Sequence, residues 1–277
     1  MTATAPEYDT YQSAFHQAFR PELYRMIDTL PLPDGGCVID VPCGDGFYTR
    51  RLAERMTGGR LVAADACDEY LNRTRDRLSD AATGAGVEVT KADAYRLPHP
   101  DGTFDVAWCA QSLISLDPLP AVRELHRVTR SDGAVVILEA DEFHHVLLPW
   151  PVELEAALPP AVHAASVRRY HDGAKLAPVR RLRGLLRRCG FQSVKRTIHP
   201  AERAAPFDPP TAAFLAHHLR FLRSLVGPHL TPELLRTFDR FADADRPDSL
   251  LRSPEVELSC LNVVYLARRS RTRTAGL

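Results

Sequence analysis

Residues 38–49 read VIDVPCGDGFYT. An apolar run ends in an acid, Asp40, and is followed by Pro42, Cys43 and two glycines one residue apart, Gly44 and Gly46. Glycines so placed let the backbone turn sharply and let a ligand approach where a Cβ would collide. A second acid, Asp65, closes the apolar run LVAAD, about 20 residues past the glycines, a separation suited to a ribose diol. One carboxylate accepts from both ribose hydroxyls, although a strand-end acid also suits a helix cap. A third acid stands in Lys91-Ala92-Asp93-Ala94. The fourth polar block runs from Glu139 to His145 and passes directly into VLLPW. A polar cluster beside apolar residues is what a small-molecule pocket needs. His144 and His145 are the candidate general bases there, because imidazole titrates near neutral pH. On extended backbone only one of the two faces a pocket; a solvated loop or a capping pair is the competing reading.

The glycines do not read as a phosphate site. A dinucleotide fingerprint wants a third glycine where Thr49 stands, and a P-loop wants Lys-Ser/Thr where Phe47-Tyr48-Thr49 stand. A ligand without a pyrophosphate fits better.

The elements that must hold these residues alternate. Short runs rich in β-branched residues predict strands at 37–41, 60–64, 87–91, 104–109, 134–139, 191–198 and 257–267. Helical patterns fall at 48–56, 68–82, 118–129 and 178–189, the last closed by Gly190. This alternation predicts an α/β fold, a mostly parallel sheet covered by helices on both faces, so the glycine loop becomes a strand-to-helix turn at a helix N-terminus. Three segments exceed the alternation: an N-terminal helical cap over 1–36, broken near Pro21, an insertion over 140–177 and another over 200–256. In the last, Phe214, His218, Phe221, Leu222 and Leu225 mark one helical face, and Thr231-Pro232 begins a further helix. Insertions of this length serve as lids, pocket walls or partner surfaces. They flank a core of 37–139, 178–199 and 257–267, with a basic, disordered tail expected over 268–277 and a homodimer through the helical insertions as one arrangement.

The 277 residues carry a formal net charge of +0 and are 45% hydrophobic. No global field attracts nucleic acid or an anionic membrane, and no run is long and apolar enough for a bilayer span. The first residues lack a basic segment followed by an apolar one, so no secretion signal is expected. The six cysteines are scattered without a C-x-x-C pair and read as reduced core thiols of a cytoplasmic protein. No Cys/His spacing suits a metal.

Taken together, VIDVPCGDG, LVAAD, Lys91-Ala92-Asp93-Ala94 with the following LPHPDGTFDVAW, and RRLRGLLRRCGFQSV resemble the class I S-adenosylmethionine-dependent methyltransferases. The resemblance covers about 37–139 and resumes at the penultimate helix and strand. Pro42 replaces the first glycine of the family's motif. The resemblance implies a Rossmann-like, seven-stranded sheet with helical lid insertions and S-adenosylmethionine as cofactor. It places Asp40 where it orders the glycine loop and the methionine end, Asp65 at the ribose, and Asp93 and Ala94 at the adenine, with Pro42, Cys43, Gly44, Gly46, Tyr48, Ala66 and Gln111 as further cofactor-binding residues. Gln111 and Ser112, after the fourth strand, and Asp141, His144 and His145, after the fifth, fall where the acceptor is expected. Tyr11, on the cap, is a candidate to fold over the cofactor, with core packing as its alternative. The usual base-methylating signature is absent after the fourth strand, which reads Cys-Ala-Gln-Ser-Leu. The expected activity is methyl transfer to a small molecule, as an O-methyltransferase of bacterial specialised metabolism. The alternatives are C- or N-methylation, and a cofactor-binding protein turned to cyclisation, decarboxylation or a structural role.

Overall fold

A computed structural model describes residues 9–142, 144–173, 175–243 and 246–269. The strands are β1 (Cys37–Asp40), β2 (Arg60–Asp65), β3 (Gly86–Lys91), β4 (Phe104–Ala110), β5 (Thr129–Glu139), β6 (Val146–Leu147), β7 (Ser193–Ala204) and β8 (Glu257–Arg268). The helices are α1 (Asp9–Ala18), α2 (Arg20–Asp28), α3 (Phe47–Arg55), α4 (Asp68–Leu78), α5 (Pro118–Val128), α6 (Val152–Tyr170), α7 (Val179–Arg188), α8 (Pro209–Val226) and α9 (Pro232–Ala242).

The first five strands are parallel in the order β3-β2-β1-β4-β5, and β8 adds antiparallel to β5 with β7 antiparallel beyond it. Order reverses between β1 and β4, so a crevice opens at their C-terminal ends. Successive strand residues feed opposite layers. Val38 and Trp108 pack toward α1, α2, α3 and α8, whereas Ile39, Ala107 and Cys109 pack toward α5 and α7. Burial on both faces explains why these strands are continuous apolar runs.

Among the described residues the sheet has eight strands, where seven were expected. The extra one is β6. The chain leaves β5 at Glu139, which pairs Val263, swings out, and returns at Val146 to pair Cys260 on the same edge of β8. Two residues are too few to show a period of two. β7 also continues past 198 to Ala204 through Pro200. Proline is tolerated there because β7 is an edge strand whose other side needs no donor.

α6 passes unbroken through Pro159 and Pro160. The two prolines deprive the carbonyls of Glu155 and Ala156 of their helical donors, and both of those residues are exposed, so water substitutes. α6 buries Leu154, Leu158 and Val162 against Phe238 of α9 and Val226 of α8, a small separate core. Among the described residues no helix is long and apolar enough to cross a membrane. All six cysteines are free thiols. Of the segment expected to be disordered, Arg268 ends β8 and Arg269 donates to the carbonyl of His126 at 2.8 Å; residues 270–277 lie outside the described residues.

Candidate functional site

A cleft of about 350 Å³ opens at the crevice between β1 and β4. The glycine loop forms one wall. Gly44 has φ +54°, and a Cβ there would meet nothing within 4 Å, so its bare Cα borders open space. Gly46, at φ +78°, answers to a different demand. A Cβ there would lie 2.9 Å from the Cα of Thr74 on α4, so this glycine lets two helices approach and does not line the cleft. Asp65, 6% exposed, sets the loop with one oxygen, accepting from the Gly44 N–H at 3.0 Å, and accepts from Cys67 N–H at 2.9 Å with the other. Burial raises its pKa, opposed by those N–H groups. Pro42, Cys43, Ala66, Asp93 and Ala94 line the same cleft, and Asp93 is exposed toward it. Asp40 does not line it. It lies beneath the loop, 1% exposed, accepting from the Thr49 hydroxyl at 2.6 Å, and burial pushes its carboxyl up to about 7.

α1 roofs the cleft. His16 stacks on Phe47 with centroids 4.1 Å apart, and Gln12 stands one turn earlier. Three groups converge on the side-chain oxygen of Gln111: Gln12 Nε2 at 3.0 Å, His16 Nε2 at 2.9 Å and the Tyr48 hydroxyl at 3.1 Å. Gln111 itself sits at φ +51°, a conformation costly for a residue with a side chain and retained where surroundings over-determine it.

Beyond Gln111 lies a second cavity of about 740 Å³, and Gln12, Gln111 and Ser115 border both spaces. Its walls come from α1, α6 and α8 together with Glu139, Ala140, Glu142 and His145. Tyr11, expected over the cofactor, is placed here instead: its ring stacks on Phe221 at 5.2 Å and its hydroxyl lies 3.4 Å from His218 Nδ1. Of the two candidate bases, His145 lines this cavity and His144 is exposed and does not. His145 is 4% exposed, among the described residues neither ring nitrogen has a hydrogen-bond partner, and Glu142 Oε1 is 3.9 Å from its Nδ1. Burial drives the ring down to about 4 and lifts the Glu142 carboxyl to about 7, with Glu139 repelling the latter further. Glu139 is pushed up to about 7 by burial, although it accepts from the N–H groups of Ser112 at 2.8 Å and Leu113 at 2.6 Å. Among the described residues no three His, Cys, Asp or Glu groups gather as a metal set.

A family model described as a methyltransferase domain matches residues 39–137. A ubiquinone/menaquinone biosynthesis C-methyltransferase of Saccharophagus degradans is 31% identical over 172 residues, 58% of this chain and 69% of that protein. The chain belongs to the class I S-adenosylmethionine-dependent methyltransferases. A 27-O-demethylrifamycin SV methyltransferase of Amycolatopsis mediterranei is 31% identical over 133 residues, 48% of this chain and 47% of that protein. Among solved structures, the [4+2]-cyclase SpnF superposes with a TM-score of 0.53 at 18% identity, covering 98% of this chain and 100% of the other, a likeness of fold. The chain spans only 42% and 39% of two other curated relatives that it matches.

The cofactor of this methyltransferase family is S-adenosylmethionine, and the cleft fits it. Gly44 leaves room for close approach, the Asp65 carboxylate borders the cavity with lone pairs a diol could use, and Asp93 and Ala94 line it as well. Sequence reasoning did not find Gln12, His16, Glu142 or Lys175. Gln12 and His16 are four apart on α1, a spacing that puts two polar groups on one helix face, and that was the available signal. Glu142 was visible as part of the polar block, but its raised pKa follows only from burial.

Proposed function

We propose that the protein transfers the methyl group of S-adenosylmethionine to a hydroxyl oxygen of a small molecule, in bacterial specialised metabolism. The observation that carries this reading is the juxtaposition at Gln111 of the cofactor cleft and a larger cavity holding Glu142 and His145. When bound, the cofactor supplies an electrophilic methyl carbon on a sulfonium. The chain's part is to align the acceptor, exclude water and take a proton. Glu142, held near 7, is the better-matched proton acceptor, whereas the His145 ring stays neutral at pH 7 and presents nitrogens to position the hydroxyl. The cavity volume suits a drug-sized acceptor, and the likeness to a rifamycin O-methyltransferase supports oxygen as the nucleophile.

The test is product mass after incubation of a hydroxylated metabolite panel with protein and cofactor. A methylated product is expected, with an acidic limb in the kcat–pH profile near pH 7. Glu142→Gln is expected to lower kcat about 100- to 10,000-fold and to remove that limb while S-adenosylhomocysteine affinity holds. Wild-type turnover in Glu142→Gln overturns the assignment of the base. A product isomeric with its substrate and no consumption of cofactor overturns methyl transfer in favour of a cyclisation.

A further inference from the structure

The charged groups of the second cavity differ in exposure. The acids line it at buried Glu139 and half-buried Glu142, and burial lifts both carboxyls. Two arginines line it from separate helices, Arg169 in the last turn of α6 and Arg220 in the middle of α8, and both are exposed. About half of the described arginines meet a carboxylate. Arg223, one turn along α8, holds Asp239 through two bonds of 2.5 and 2.9 Å, and Arg180 holds Asp141 at 2.6 and 3.1 Å. Among the described residues Arg169 and Arg220 form no such pair. Arg169 lies over the Tyr170 ring at 5.6 Å, and Arg220 reaches only His217 Nδ1 at 3.1 Å. The helix dipole favours a cation at the end of α6, so Arg169 alone says little. Arg220 lies more than a turn from the end of its helix and has no such reason.

Resting on the reading of this cavity as the acceptor site, we propose that the acceptor carries an anionic group, a carboxylate or a phosphate ester, that Arg169 and Arg220 clasp while its nucleophile reaches Glu142. A guanidinium offers a planar fork matched to either oxyanion. The apolar lining residues Phe15, Ile114 and Phe221 take the carbon frame between the two ends. Lys175 does not complete the clasp: its ammonium is turned to the carbonyls of Leu116 and Leu113.

The test reads binding, not turnover, so it stands apart from the methyl-transfer assay. Calorimetry on the full chain loaded with S-adenosylhomocysteine compares 4-hydroxybenzoate and phenyl phosphate with the neutral methyl 4-hydroxybenzoate. The anionic probes should bind about tenfold or more tightly, and whichever of the two is preferred names the oxyanion. In Arg169→Gln and Arg220→Gln that preference should fall about tenfold each, with the affinities of the ester and of S-adenosylhomocysteine unchanged, and rising salt should erode it. Arg223→Gln, on the same helix but paired with Asp239, should keep the preference. Equal binding of acid and ester, a preference that survives both substitutions, or no binding of either anion at millimolar concentration overturns the proposal. Methylation of neutral phenols with no role for the two arginines would leave the proposed function standing and this inference refuted.

Discussion

Gly44 and Gly46 have the same residue type and both have positive φ, yet they answer to different constraints, and substitution separates them. At Gly44 the only structural cost of a methyl is the left-handed backbone, about 1 kcal/mol, since no atom stands within 4 Å. That methyl occupies cleft space. Gly44→Ala should therefore fold with little loss and bind S-adenosylhomocysteine poorly. At Gly46 the methyl meets the Thr74 backbone at 2.9 Å as well, and an overpacked contact adds about 1–3 kcal/mol. Gly46→Ala should be the less stable of the two in urea unfolding by at least that increment. Equal unfolding midpoints would refute the division of roles. The glycines and Asp65 were legible because a tight turn with positive φ and a strand-end acid at the cleft are visible as residue types along the chain. The sequence could not divide the glycines, because Thr74 lies far along the chain and reaches Gly46 only once α4 is packed.

At the scale of the element, α1 is the part whose function depends most on one side chain. Its Gln12 and His16 are tied to the cleft through the oxygen of Gln111, which Tyr48 also reaches. Gln111→Leu removes the acceptor that all three share, and a lost buried hydrogen bond costs about 1–3 kcal/mol. The amides of α1 should then exchange with deuterium about tenfold faster or more, while those of β2 and β3 hold their protection. Unchanged exchange in α1 would show that its packing on α8, through Tyr11, Phe15 and Phe214, suffices to hold the roof. Elements of this kind were legible as extra helices with an apolar face. What they cover was not, since amphipathicity fixes which side is buried and not against what. The polar residues after β5 show the same limit: they were evident, but β6 is too short to leave a pattern, and the separation of His145 from His144 follows from where β6 rejoins β8.

For the whole molecule, the buried titratable groups make stability a function of pH with opposing signs. Glu139, Glu142 and Asp40 have folded pKa values raised to about 7. Their contribution is present below the unfolded value and is lost as pH rises toward 7, because the folded state holds protons that the unfolded state releases. His145 and His218 are lowered to about 4 and about 3, chiefly by burial. Their contribution is present above the unfolded value near 6.5 and is lost as pH falls toward 4 or 3, because the unfolded state then binds the protons. The wild-type slope between pH 4 and 7 mixes both kinds, so the informative quantity is the difference between two proteins. His145→Gln removes one group whose folded state resists protonation. The stability advantage of wild type over the variant should therefore shrink by about 3 kcal/mol from pH 6.5 to pH 4, at 1.36 kcal/mol per unit of pKa difference. Urea unfolding of the two proteins at half-unit pH steps measures it. A constant difference across that range would mean that the His145 ring titrates equally in both states, and so that water reaches its unpartnered nitrogens in the second cavity. Both the neutral ring assigned to acceptor positioning and the elevated Glu142 would then lose their physical cause.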